Sequence, residues 1–456
     1  YEAITLLADK LQSTVDQYGA TSVIVWHGYG GSANLINGLP AAAAPVSVGA
    51  GRFFWHYGFV NLDSGGDRAG LHWAPMTGIE ASTDDTLVDA KTILVWGANP
   101  SEAELNEWNY IVEAKSKGAT VVTIDPQLTR VASFSDKYVP IVPGTDGAVM
   151  LAMANYIVEQ NWIDEDYLRN ATVAPLLLRD DGSLLRLSDL GIEATDGVDA
   201  EVVWDLDAGA PASVRAGATN AAIRGSYEID GLMHRTVLEE TLSRISRYTL
   251  EYASAKSDVS VEDIKYLATV YATNKPASIM TFYGLSHHGN SRHNYKDIAL
   301  LAALTGNLGK PGCIAAWGNY GAASINVYPN FLPDMNWCPV NVGMALPRFI
   351  REGSVNGVPS AFKLLWFICG NPLCNESGRK ELIEATKTFD FIVYQDMYIT
   401  DTSRYADLLL PIPHPFETED FEVGLGQSPW AKPMQKCINP LFESKTDIDI
   451  FRLLAA

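Results

Sequence analysis

Two aspartates follow apolar strands in quick succession. Asp125 closes Ala119-Thr-Val-Val-Thr-Ile124, with Thr129 close behind, and Asp146 follows Pro143-Gly144-Thr145 ahead of a helical pattern. A carboxylate at a strand end can accept N–H donors from a nucleotide-like ligand. A lone one caps a helix more often than it binds anything, but two in ordered succession shift the balance toward a ligand. Farther on, Tyr283 and the adjacent pair His287-His288 share one loop. Imidazole titrates near neutrality and suits proton transfer, with the phenol acting at higher pKa. The competing interpretation of two neighbouring loop histidines is simple surface exposure.

The elements that would position these groups are parallel-sheet units. Thr92–Trp96 is a continuous apolar run bounded by glycine and proline, as expected of a strand buried on both faces. It ends in Gly97-Ala98-Asn99-Pro100-Ser101-Glu102, a helix is expected over Glu104–Gly118, and the next strand ends at Asp125. In an open parallel sheet ligands sit beyond the carboxyl ends of the strands, which sets Gly97, Asn99 and Asp125 on one rim. The pattern returns late in the chain. Leu364–Cys369 ends in Gly370-Asn371-Pro372, a helix follows over Arg379–Thr388, and Phe391–Tyr394 ends in Gln395-Asp396 with Thr400 beyond. Two such units imply two nucleotide-like ligands bound by pseudo-equivalent halves. A third strand, Ser22–Trp26, leads into His27-Gly28-Tyr29-Gly30-Gly31-Ser32-Ala33, formally a G-x-G-x-x-A fingerprint. Gly38, Pro40 and Pro45 break the helix that fingerprint needs, and no carboxylate stands about 20 residues beyond it.

Helices are expected over Ile4–Tyr18, Ala148–Gln160, Thr236–Tyr248 and Val261–Thr273, the last capped by Ser260 with Asp263 at the third position, and from Asn294 onward. Ser254–Asp258 reads as a polar connection. Leu176–Leu185 around Asp180-Asp181-Gly182 is a hairpin signal, and about 174–232 reads as an inserted β excursion. The 456 residues carry 33 basic and 54 acidic side chains, a net charge of −21 that repels phosphate backbones and argues against nucleic acid. Five scattered cysteines without a C-x-x-C pair support neither a disulfide framework nor an iron–sulfur site within these residues. No apolar run approaches the ~18 residues of a membrane span. The sequence opens and closes inside helical patterns, with no initiator methionine or signal peptide, as expected of part of a longer protein.

The order strand-GANPSE, helix, strand-IDPQLT, PGTDGA, joined later by Ala406-Asp407-Leu408-Leu409-Leu410-Pro411 and Glu417–Asp420, resembles the molybdopterin oxidoreductases of the dimethyl sulfoxide reductase family. That resemblance implies an α/β fold of two interleaved Rossmann-like parallel-sheet domains with a small β insertion. The boundaries expected from sequence are 1–150 with 363–456 for one domain and 151–362 for the other. It implies molybdenum or tungsten on two pterin guanine dinucleotides, with a [4Fe–4S] cluster in a domain N-terminal to these residues. Gly97, Asn99, Pro100, Glu102, Asp125, Thr129, Gly144, Thr145, Asp146, Gly370, Asn371, Pro372, Asp396 and Thr400 fall on the family's cofactor-binding segments, with Asp146 on its guanine-recognising loop. Gly309 and Gly312 fall on a glycine turn that binds a pterin. The protein ligand to the metal falls on Asp67, with Ser64 the competing assignment. His27, Tyr283, His287 and His288 become candidates for substrate and proton handling.

The reaction so implied is a two-electron oxygen-atom or hydroxyl transfer on a small molecule. The implied partners are a membrane anchor subunit together with an iron–sulfur electron-transfer subunit. An exported location is favoured over a cytoplasmic one. Two other classes fit parts of the pattern. One is a non-catalytic electron-transfer or assembly subunit that keeps the fold; the other is an NAD-dependent enzyme using the Gly28 loop.

Overall fold

The computed structural model describes residues 1–28, 50–63, 83–192, 197–315, 340–423 and 431–456. The chain divides into two compact units, one formed by Tyr1–Asp67 with Tyr320–Ala456 and the other by Arg68–Asn319.

The discontinuous unit is built on a six-stranded sheet in the spatial order Val340–Val342, Val60–Asp63, Val23–His27, Leu364–Ile368, Phe391–Asp396, Leu408–Pro411, every neighbouring pair parallel. By chain order this is 3-2-1-4-5-6, the doubly wound dinucleotide-fold arrangement. Alternation along each strand feeds two cores. Ile24, Trp26, Leu365 and Phe367 pack with Leu346, Phe349 and Leu382 on one face, and Val23, Val25, Leu364, Trp366 and Val393 with Leu7, Leu11, Ile450 and Phe451 on the other. Burial on both faces is why these strands are apolar without interruption.

The continuous unit holds a four-stranded parallel sheet in the order Ala277–Thr281, Thr92–Trp96, Thr120–Ile124, Lys137–Val139. Leu94, Trp96, Val122 and Ile279 face helices Asp146–Glu159, Val261–Thr273 and Ser291–Thr305, while Ile93, Val95, Val121 and Met280 face helix Leu105–Ser116. The inserted β excursion has its own small core of Leu177, Leu185, Leu187, Val202 and Ile229, with hairpins Val203–Asp205/Ala210–Ala212 and Ser226–Ile229/Leu232–Arg235.

The α/β class with parallel sheets is as expected, and the units are interleaved in sequence. Their division differs from the sequence-based boundaries at 150 and 362. Thr92–Trp96 pairs with Ala277–Thr281 across the first limit, and Val340–Val342 pairs with Asn61–Asp63 across the second. The expected connection at Ser254–Asp258 is instead the end of a helix, Leu250–Ser257, whose N-cap Thr249 accepts the Tyr252 N–H at 3.1 Å. Ser260 caps the next helix through the Asp263 N–H at 3.0 Å, as the sequence predicts. Leu176–Leu185 forms only isolated bridges, including Leu178–Leu184. Among the described residues no helix is long and apolar enough to cross a membrane.

Candidate cofactor-binding rims

In the continuous unit the strands end level with one another, Thr281 beside Trp96, Trp96 beside Ile124, Ile124 beside Val139. Chain order reverses between Ala277–Thr281 and Thr92–Trp96, and the crevice of such a sheet opens at that point. Two glycines meet there. The Gly284 N–H donates to the Gly97 carbonyl at 3.1 Å, a Cβ on Gly284 would overlap that carbonyl, and one on Gly97 (φ +59°) would strike Leu285. Glycine is required at both positions because the two turns pack backbone against backbone.

Asn99 opens the short helix Pro100–Ala103, its carbonyl accepting the Glu102 N–H at 3.0 Å and its Oδ1 the Ser101 hydroxyl at 3.1 Å. Glu102 is exposed and lies 3.9 Å from Arg130. Asp125 Oδ1 accepts the Gln127 N–H at 2.8 Å, while Thr129 caps helix Arg130–Phe134 through the Ala132 N–H. Thr145 donates to the Val142 carbonyl at 2.6 Å. Asp146, only 5% exposed, heads helix Asp146–Glu159 and accepts the Trp96 indole N–H at 2.8 Å. Burial raises its carboxyl above the usual range against the pull of Trp96 and of His288. Asp125 is raised by burial and by the Asp146 charge, so the two sequence-predicted aspartates do share one electrostatic environment.

Tyr283 lies at the same edge in contact with His287, ring centroids 5.5 Å apart, whereas His288 lies against Gly144. Gly309 and Gly312 are placed elsewhere. The helix Ser291–Thr305 runs back from the rim, so the glycine turn after it reaches the amino ends of the strands. There the Gly312 carbonyl accepts the Ser278 hydroxyl at 2.8 Å, and a Cβ on Gly312 would stand 2.8 Å from the Ala90 nitrogen. Gly309 and Gly312 therefore lie on a turn at the amino edge of this sheet, away from the rim.

The discontinuous unit repeats the arrangement. Its order reverses between Val23–His27 and Leu364–Ile368, where the Gly28 N–H donates to the Ile368 carbonyl at 2.8 Å. A Cβ on Gly28 would overlap the Cys369 carbonyl, and one on Gly370 would stand 3.3 Å from Gly28. His27 is buried, its Nδ1 3.3 Å from the Gly28 carbonyl. Asn371 Oδ1 accepts both the backbone N–H (3.1 Å) and the hydroxyl (2.7 Å) of Thr402, and Pro372 begins a short helix. Asp396 accepts the Met397 N–H at 2.7 Å and the Tyr394 hydroxyl at 3.1 Å, and Thr400 donates to that same hydroxyl oxygen at 2.8 Å.

Sequence reasoning overlooked Asp447. It heads helix Asp447–Ala455, is 7% exposed, and accepts the Gln395 amide at 2.6 Å and the Cys369 thiol at 3.9 Å. Burial pushes its carboxyl up to about 6, with Asp396 adding to the rise. Thr446-Asp447 ahead of a helix repeats Thr145-Asp146, and that echo was present in the sequence. Among the described residues, Gln395 Oε1 is fully buried with no hydrogen-bond partner. The buried carboxyl in each unit, and in the discontinuous unit this orphaned acceptor, fit a ligand that brings N–H donors to carboxylates.

Ser64 and Asp67 lie outside the described residues. The strand before them ends at Asp63, level with His27. Among the described residues no group of three or more His, Cys, Asp or Glu could hold a metal ion. Gly30 to Ala33 of the fingerprint loop likewise lie outside them.

A family model described as molybdopterin oxidoreductase matches residues 1–456. The chain is 31% identical to a Halobacterium salinarum protein provisionally named as a catalytic subunit of dimethyl sulfoxide reductase, covering 100% of this chain and 54% of that protein. It is 26% identical to the alpha subunit of perchlorate reductase from Dechloromonas aromatica, covering 100% and 55%. The structure of acetylene hydratase from Pelobacter acetylenicus superposes with a TM-score of 0.66 at 16% identity, covering 100% of this chain and 57% of that one, a likeness of fold. The chain spans about half the length of the curated relatives it matches.

Proposed function

Because the chain belongs to the molybdopterin oxidoreductase family, we propose that it forms the cofactor-binding body of a molybdenum oxidoreductase, tungsten being the alternative metal, with the pterin carried as two guanine dinucleotides. The observation that carries this reading is the doubling. Each unit has a glycine contact at the reversal of its sheet and a buried aspartate heading a helix. When bound, the group supplies a two-electron metal centre for oxygen-atom or hydroxyl transfer on a small organic or oxoanion substrate. Relatives named for dimethyl sulfoxide and perchlorate support that substrate class.

The chain's own residues bind and orient. Gly97 with Gly284, and Gly28 with Gly370, let the turns at each rim pack backbone to backbone; Asp146 and Asp447 accept the N1–H and N2–H₂ of the two guanines; Asn99, Asn371, Asp125 and Asp396 shape the turns beside them. Asp67, or Ser64, is the protein ligand to the metal. Tyr283, His287 and His27 handle substrate protons. Relatives named as alpha subunits support partner subunits. We take these to be a membrane anchor and an electron-transfer protein carrying iron–sulfur clusters, with a [4Fe–4S] cluster in the full-length protein as the route for single electrons.

Metal and nucleotide analysis of the full-length protein tests this. The expected result is molybdenum or tungsten with two guanine nucleotides per metal after acid release. One guanine per metal would overturn the doubled reading, and absence of both metals would favour a non-catalytic scaffold.

A further inference from the structure

The two adjacent histidines have different surroundings, and the difference carries an inference that rests on the guanine reading above. His287 is in contact with Tyr283. His288 is half-buried and lies over the Gly144 turn. A Cβ built on Gly144 would stand 3.3 Å from its Nδ1, 3.7 Å from Cγ and 3.8 Å from Cε1, so the ring lies broadside over that position. Gly144, at φ +81°, is shaped for a residue with no side chain, and the imidazole takes the space one would fill. The turn and the histidine loop are tied together. Asn290 Nδ2 donates to the Gly144 carbonyl at 3.1 Å and to Asn294 Oδ1 at 3.3 Å, and Asn294 Nδ2 donates to the Leu285 carbonyl at 3.3 Å. Asp146, two residues beyond Gly144, is close enough for the imidazole to favour its ionised form. Among the described residues neither ring nitrogen of His288 has a hydrogen-bond partner.

The geometry points to His288 as a guanine-specificity residue, its ring N–H donating to O6 of the base whose N1–H and N2–H₂ are taken by Asp146. The guanine edge runs donor, donor, acceptor, and a carboxylate beside an imidazole N–H is its complement. Adenine would set its 6-amino donor against the imidazole donor and leave both unpaired, and an unpaired buried polar group is what rejects a wrong ligand. His288 thus reads the nucleotide, and proton handling falls to its neighbours.

GDP and ADP are the probes, titrated calorimetrically into full-length protein produced in a host that makes no molybdopterin. Wild type binds GDP in preference to ADP. His288→Phe keeps a ring over Gly144 and removes the donor; it weakens GDP binding about tenfold, the loss of one hydrogen bond, and narrows the preference over ADP. His288→Gln keeps a donor and restores most of it. Asp146→Asn weakens GDP in either case. If Asp146→Asn weakens GDP while His288→Phe leaves both affinities unchanged, the His288 assignment is overturned and the guanine rim stands. If wild type fails to bind GDP, or neither substitution matters, both fall.

Discussion

Asp447 is buried and Asp297 half-buried, and the fold favours the neutral form of each. For Asp447, burial lifts the pKa from 3.8 to about 6, so the folded chain holds a proton that the unfolded chain has released. Stability from this source is fully present below about pH 4 and lost as pH rises through about 6. A pKa rise of that size corresponds to about 3 kcal/mol. In cofactor-free full-length protein, Asp447→Asn is expected to flatten the dependence of melting temperature on pH between 4 and 6, and to lower the guanine content of the loaded protein. An unchanged pH profile would show that Asp447 is not buried. Asp297 is raised by burial to about 8, its Oδ2 standing 2.8 Å from where a Cβ on Gly147 would be. The same sign applies, with stability lost from about pH 4 through about 8. Asp297→Asn should stabilise the cofactor-free protein at pH 8 by on the order of 2 kcal/mol, discounted because the group is only partly buried. Thermal denaturation at pH 5 and pH 8 checks this, the gain being larger at the higher pH.

At the scale of elements, strand ends and turns were readable in advance because their signals are local. Thr92–Trp96 and Leu364–Ile368 are apolar runs closed by glycine and proline, and the structure has strands at those positions. What no local pattern contains is which turn faces which. Gly28 and Cys369 are separated by most of the chain, yet a Cβ on the first would overlap the carbonyl of the second. Gly28→Ala is accordingly expected to destabilise by about 3 kcal/mol or more, since the obstacle is backbone that cannot rotate away. Gly182→Ala, at φ +80° but with nothing within 4 Å, should cost only about 1 kcal/mol of backbone strain. Denaturant titration of the two variants side by side tests the contrast, and equal losses would mean that the Gly28 contact is not tight. Gly309 and Gly312 show how position depends on the path of the chain. As glycines in a turn they look like binding residues, but the helix before them carries the turn to the amino edge of the sheet.

At the scale of the molecule, the two units differ in how they are threaded. Arg68–Asn319 is one uninterrupted segment with its own four-stranded sheet and its own cores, whereas Val23–His27 pairs with a strand more than 300 residues later. A fragment spanning 68–319 is expected to fold alone, with a cooperative melt and mixed α/β circular dichroism. A fragment spanning 1–67 should not, because its central strands lack their neighbour. A non-cooperative melt of the 68–319 fragment would show that its boundaries are wrong.

The sequence by itself determined the main buried strands, most helices and the turns after them, because apolar runs, caps and glycine–proline pairs act over a few residues. It also held the family resemblance, carried by the same turns. Only the tertiary structure decided that Gly28 meets Cys369 and that Gly97 meets Gly284, that Asp447 stands to its rim as Asp146 stands to its own, and that His288 covers Gly144. Parallel strands join residues far apart in the chain, and neighbours made by such pairing leave no mark on the spacing of either partner.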